Sequence, residues 1–219
     1  MSSATSHINF NYFMNRSVEL EKVHKKWLKE CNCELKKTAT QGVPGYGNAN
    51  SEVVFIGEAP GRDEDREGKP FVGAAGKFLN EMLSGIGWSR ESVYITNVVK
   101  YRPPGNRDPL PEEVESCAKW LEEELQIIKP KLIVFLGRHA LEHFFPNERI
   151  SQVHGKILKK KTKIGNTFFA LYHPAAALHN GSMRDVLIDD FKKLPKVLEK
   201  IKKGDESEVK IIATQEKLF

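Results

Sequence analysis

Apolar positions along the chain follow two rhythms. Residues 52–57 (EVVFIG) read as a short apolar strand, residues 92–99 (SVYITNVV) as a second and residues 131–137 (KLIVFLG) as a third of buried type. Residues 157–172 read as a hairpin that turns at Gly165-Asn166. Between these runs the period becomes that of a helix. Residues 17–29 bring Val18, Leu20 or Val23, Trp27 and Leu28 to near-helical spacing. Residues 74–85 form a helix closed by glycine, and residues 112–128 one opened by Pro111. Residues 138–145 form a short helix and residues 184–202 the last one, while residues 38–50, rich in Gly, Pro and Asn, are a loop. Strands alternating with helices predict one α/β domain over residues 1–203, built on a mostly parallel sheet covered on both faces. Residues 1–16 are expected to be flexible or loosely packed, and residues 204–219 lose the pattern and read as a tail.

Two segments fall at predicted strand ends, the place where an open α/β sheet binds its ligands. Residues 57–73 (GEAPGRDEDREGKPFVG) set a Gly/Pro-rich turn full of carboxylates after the first strand. Residues 172–178 (YHPAAAL) deliver His173 to the same rim. A carboxylate loop beside a histidine loop suggests bond cleavage with a stabilised leaving group. Gly57, Gly61 and Gly73 would let the backbone approach a nucleotide closely. Neither G-x-x-x-x-G-K-[ST] nor G-x-G-x-x-G is present, so the turn is not a phosphate cradle of either of those kinds. Asp63 and Asp65 read as solvated or loop-capping residues, and His139, His143 and His154 as structural or surface histidines.

Four segments together resemble the family 4 uracil-DNA glycosylases: VPGYGN at 43–48, GEAPGRDEDREGKPFVGAAG at 57–76, TNVVKYRPPGNRDP at 96–109 and YHPAAAL at 172–178. The likeness runs from residue 33 to the helix ending near residue 203. It implies a three-layer sandwich around a mostly parallel, four-stranded sheet. It also implies an enzyme that hydrolyses the N-glycosidic bond of uracil in DNA and leaves an abasic site. On that reading the base is flipped out of the stack, lies beside Gly57, stacks on Phe71 and is read by Asn97. The Asn97 amide offers an acceptor for uracil N3–H and a donor for O4. His173 would be a neutral donor to the departing base. Glu58 and Glu64 would orient water or stabilise the cationic sugar, roles that the sequence does not divide. Lys100, Arg102 and Arg107 would meet DNA phosphates. Ala177 and Leu178 lie where related enzymes insert a leucine wedge. Two alternatives stay open: a glycosylase for another deaminated base such as hypoxanthine or xanthine, and a uracil-DNA-binding protein without turnover. The second goes with a basic, histidine-containing insertion after PFVG, and residues 74–87 hold none.

The same resemblance implies a [4Fe–4S] cluster on four cysteines, yet the chain has three. Cys33 and Cys117 fall at two of the family's positions, and Tyr101 stands at the third. The fourth falls at Glu30, with Cys31 one residue late. A cluster of the usual kind needs four thiolates, so no metal and no cofactor are expected.

A net charge of +5 suits DNA as partner, and cationic runs occur at residues 100–107, 156–163 and 192–203. No apolar run reaches the roughly 20 residues that span a bilayer, and the polar N-terminus has neither part of a secretory signal. With an odd cysteine count, these features predict a monomeric, cytoplasmic protein in a reducing compartment. The last residues, QEKLF, resemble peptides that dock on sliding clamps through Gln215, Leu218 and Phe219.

Overall fold

The computed structural model describes residues 4–178, 180–204 and 210–211. Four apolar runs make the centre of its sheet. These are β2 (Val53–Gly57), β3 (Tyr94–Asn97), β4 (Leu132–Leu136) and β6 (Thr167–Leu171), and every residue in them is buried. They pair in parallel in the order β3-β2-β4-β6. Short strands extend both edges: β1 (Tyr46–Gly47) runs antiparallel to β3, and β5 (Ile157–Lys159) antiparallel to β6. β7 (Lys210–Ile211) pairs with β5 in parallel, which gives seven strands among the described residues. The expected four-stranded parallel centre is therefore present, and β5–β6 is the expected hairpin. β1 and β7, two residues each, are too short to leave a period in the sequence.

Pleating sends alternate residues to opposite layers. Val54, Ile56, Ile133, Phe135, Phe168 and Ala170 pack on one side. That layer holds α1 (Ala4–Glu30), α4 (Pro111–Ile128), α5 (Arg138–Phe144) and α6 (Ile150–Val153). Val53, Phe55, Val134, Leu136, Phe169 and Leu171 pack on the other, against α3 (Ala74–Gly85), α7 (Pro174–Ala177), α8 (Gly181–Phe191) and α9 (Leu194–Lys203). α2 (Arg62–Glu67) lies in the connection after β2.

Several boundaries depart from expectation. α1 begins at Ala4, ahead of the helix expected over residues 17–29. Its buried face is Leu20 and Trp27, spaced by three and four residues around partly buried Val23 and continued by Cys31 just past its end, whereas Val18 and Leu28 are exposed. The last helix is two. Pro195 has no N–H to give and crowds the carbonyl a turn earlier, so the chain turns at Lys192-Lys193 between α8 and α9. Within the expected tail, Lys210–Ile211 is strand β7. Gln215, Leu218 and Phe219 lie outside the described residues. No helix among the described residues is long and apolar enough to cross a membrane.

Candidate active site

The parallel strands bring their carboxyl ends to one edge. From β2 the chain passes to β3 on one side and then to β4 on the other, and a ligand crevice forms where strand order reverses in this way. Gly57 closes β2 and Asn97 closes β3 directly opposite it. Gly137 follows β4, and His173 comes two residues after β6.

The loop after β2 closes around Glu64. Its Oε2 accepts the Gly61 N–H at 3.1 Å, and its Oε1 accepts the N–H groups of Val72 and Gly73 at 2.8 and 2.9 Å. Hydrogen bonds to a charged acceptor contribute about 1.5–3 kcal/mol each. Glu64 thus fastens both ends of the loop. Buried Asp65 caps the neighbouring turn by accepting from Thr40 N and Oγ1 at 2.9 and 2.7 Å. Asp63 faces solvent beside Arg66, 3.2 Å away.

Closing the loop holds Phe71 at φ 53°, in the left-handed region that aromatic residues seldom adopt. Arg90 keeps it there by donating to the Phe71 carbonyl at 3.1 Å and to that of Pro70. Gly76, having no side chain, lets the Phe71 carbonyl lie against α3. Strain that the surroundings over-determine is characteristic of ligand sites. The Phe71 ring is buried, 5.6 Å from the His173 ring with 34° between their planes.

Asn97 is 2% exposed, and its Oδ1 has no hydrogen-bond partner among the described residues. A buried polar atom left so costs about 1–3 kcal/mol, which an arriving donor would recover. A β-carbon placed on Gly57 would run into this Oδ1 and lie 2.7 Å from the Phe71 ring. Gly57, Phe71 and Asn97 therefore converge.

His173 caps α7: its Nδ1 accepts the Ala175 N–H at 3.1 Å. A neutral ring with Nδ1 accepting carries its proton on Nε2. Burial pulls the His173 pKa down to about 4, against the opposing charge of Glu64. Near neutral pH the residue is an uncharged donor.

Half-buried Glu58 follows Gly57, and its backbone carbonyl accepts the Val99 N–H at 2.9 Å. Burial raises its pKa, with His139 pulling the other way. His139 Nε2 lies 3.8 Å from Glu58 and 3.2 Å from Asp108, which also pairs with Arg138 at 2.9 Å. Ligand atoms of Glu58, Asp108 and His139 lie within 4.8 Å of one another, a spacing a cation could bridge. Arg138, paired with Asp108, already places a positive charge there. His139, expected as a structural or surface histidine, sits on the rim three residues after β4. Beside it a groove of about 590 Å³ is lined by Glu58, Val99, Pro109, His139 and His143.

The expected DNA-backbone residues separate. Lys100 is fully buried and donates to Glu124 and to Thr96 Oγ1, each at 2.7 Å, so its ammonium is not available to a phosphate. Arg107 is held by Glu113 through two bonds of 2.6 and 2.8 Å. Arg102 bonds Asn106 through Nε at 2.7 Å. Ala177 is buried, and Leu178, next in line, is half-buried against the α3–α8 layer. Cys33 and Cys117 lie with Cys31 in the core of the α1–α4 layer.

Residues 44–202 match the family model of the Uracil DNA glycosylase superfamily. The chain is 52% identical over 172 residues to the type-4 uracil-DNA glycosylase of Archaeoglobus fulgidus, covering 74% of this chain and 84% of that one. It is 46% identical over 182 residues to the type-4 uracil-DNA glycosylase of Sulfurisphaera tokodaii, covering 80% and 83%. With the type-4 enzyme of Thermotoga maritima it shares 39% identity over 187 residues, covering 83% and 96%.

Proposed function

The chain belongs to the uracil-DNA glycosylase superfamily, and from that premise we propose how it removes uracil from DNA. One observation carries the reading: the buried Oδ1 of Asn97, without a partner among the described residues and facing Gly57 and Phe71. The target nucleotide swings out of the stack and its base lies on Phe71. Asn97 Oδ1 accepts uracil N3–H, and its Nδ2 donates to O4. Cytosine sets an unprotonated N3 against Oδ1 and an amino group against Nδ2. Two buried mismatches at about 1–3 kcal/mol each reject it.

The C1′–N1 bond then breaks with its electron pair moving to the base. His173 Nε2–H donates to O2, where negative charge accumulates. Its low pKa keeps it a neutral donor through the pH range of the cell. Water adds to C1′ from the opposite face and gives its proton to Glu58. Burial raises the proton affinity of that carboxylate towards what a general base needs. Glu64 keeps the loop closed throughout. The uracil anion takes up a proton from solvent and Glu58 gives its own up, so the products are free uracil and an abasic site. Arg102 meets the phosphates, and the work is done inside the cell, where the three cysteines stay reduced.

The test is incubation with a single uracil-containing oligonucleotide, followed by mass spectrometry of the free base and alkaline cleavage of the strand. Uracil and an alkali-labile site are expected. Tight binding without either product contradicts the reading.

A further inference from the structure

Cys31, Cys33 and Cys117 are buried and unpaired as disulfides. Cys117, on α4, lies within hydrogen-bonding reach of both Cys31 and Cys33. The outer two also turn to α4 backbone carbonyls: Cys31 Sγ is 3.7 Å from Ser116 O, and Cys33 Sγ is 3.8 Å from Glu113 O. Tyr101, from the loop after β3, packs edge-on against Trp27 of α1 with ring centroids 5.6 Å apart. Its hydroxyl is buried and has no partner among the described residues, and burial, with the three sulfurs nearby, pushes its pKa up.

An iron–sulfur cube stands between its thiolates, each bound to its own iron. Here two of the three thiols turn to α4 backbone carbonyls, and a buried phenol stands where the fourth thiol would be needed. These residues do not fit the cluster that the family resemblance implies. We propose that Tyr101 and the three cysteines form a metal-free keystone, which takes over from a cluster the task of joining α1, α4 and the loop of residues 100–109. Sulfur contacts tie the segment after α1 to α4, and the Tyr101 ring ties the loop to Trp27. The loop begins three residues after Asn97, so the keystone also fixes the strand end that carries the base reader.

The test reads metal content and stability, not excision, so its failure would leave the glycosylase reading intact. Full-length protein is purified anaerobically, offered ferrous iron and sulfide, and desalted. Metal and sulfide analysis, the visible spectrum and thermal unfolding with and without a chelator follow, for wild type and for Tyr101→Phe and Tyr101→Ala. No stoichiometric metal, no visible band and a chelator-insensitive midpoint are expected. Tyr101→Phe should melt at the wild-type temperature or higher, because it deletes an unsatisfied hydroxyl and keeps the ring. Tyr101→Ala should melt well below. About four irons per chain, any other stoichiometric metal, or a Tyr101→Phe variant that melts like Tyr101→Ala would overturn the proposal.

Discussion

Gly57 and Asn97 are partners across the parallel pair β2–β3, so close that a β-carbon on Gly57 would collide with the Asn97 amide oxygen. The gap left by the missing side chain is where a base edge can reach that oxygen. Gly57→Ala should therefore stop excision while the fold survives. Overpacking costs about 1–3 kcal/mol, a shift of several degrees in melting. Single-turnover assays with an unimpaired Gly57→Ala rate would remove this gap from the site.

His173→Ala should slow the chemical step by about 10²–10³-fold, the usual effect of losing one preorganised donor. Affinity for uracil-containing DNA should change little, because the donor acts on charge that appears only as the bond breaks. Rapid-quench kinetics under single-turnover conditions separate the two quantities. A loss seen only in binding would take His173 out of the chemistry.

Glu64→Gln should act on the loop rather than on bond cleavage. The amide keeps one acceptor oxygen, but its NH₂ must face either the Gly61 N–H or the pair from Val72 and Gly73. Stability should fall by about 1–3 kcal/mol, and KM should rise more than kcat falls. A collapse of kcat with melting unchanged would return Glu64 to the chemistry.

The parallel centre was legible because residues 53–57 and 132–136 are apolar throughout, as strands covered on both faces must be. The rim residues were legible because motif and strand end coincide at Gly57, Asn97 and His173. Lys100 was not, since a lysine after a strand end looks the same whether it meets phosphate or a buried carboxylate. Its partner Glu124 lies 24 residues away on α4. The hydrogen bonds of Glu64 were illegible for a related reason: a carboxylate in a functional loop gives no sign in the sequence that backbone N–H groups will occupy it. The break between α8 and α9 was signalled by Pro195, inside an otherwise continuous helical pattern.

Acid should destabilise the protein in two separate steps. Burial holds His143 and His173 near pKa 4, against 6.5 for an ordinary histidine. Between those values the unfolded chain binds more protons, so stability falls as pH is lowered from about 6.5 to about 4. At Glu124, burial alone would raise the pKa, but Lys100 and His24 outweigh it and hold the carboxyl at about 2. Its contribution is present above 4.5 and is lost as pH drops towards 2. Denaturant titrations from pH 8 to pH 2 check both steps. His143→Gln should flatten the first, and Glu124→Gln should remove the second while costing about 3–5 kcal/mol at neutral pH, as breaking a buried pair does. Stability that stays level from pH 6.5 to pH 4 would contradict the buried-histidine part.

The most direct measurement is single-turnover base release from matched oligonucleotides carrying uracil, cytosine, hypoxanthine, xanthine or a mismatched thymine, using wild type, Asn97→Ala and Asn97→Asp. Wild type should release uracil and leave cytosine untouched. Asn97→Ala should release almost nothing. Asn97→Asp should gain measurable activity on cytosine, since a protonated carboxyl offers a donor where N3–H once met an acceptor. Uracil release by Asn97→Ala at the wild-type rate, or faster release of hypoxanthine than of uracil by the wild type, would contradict uracil reading at this site.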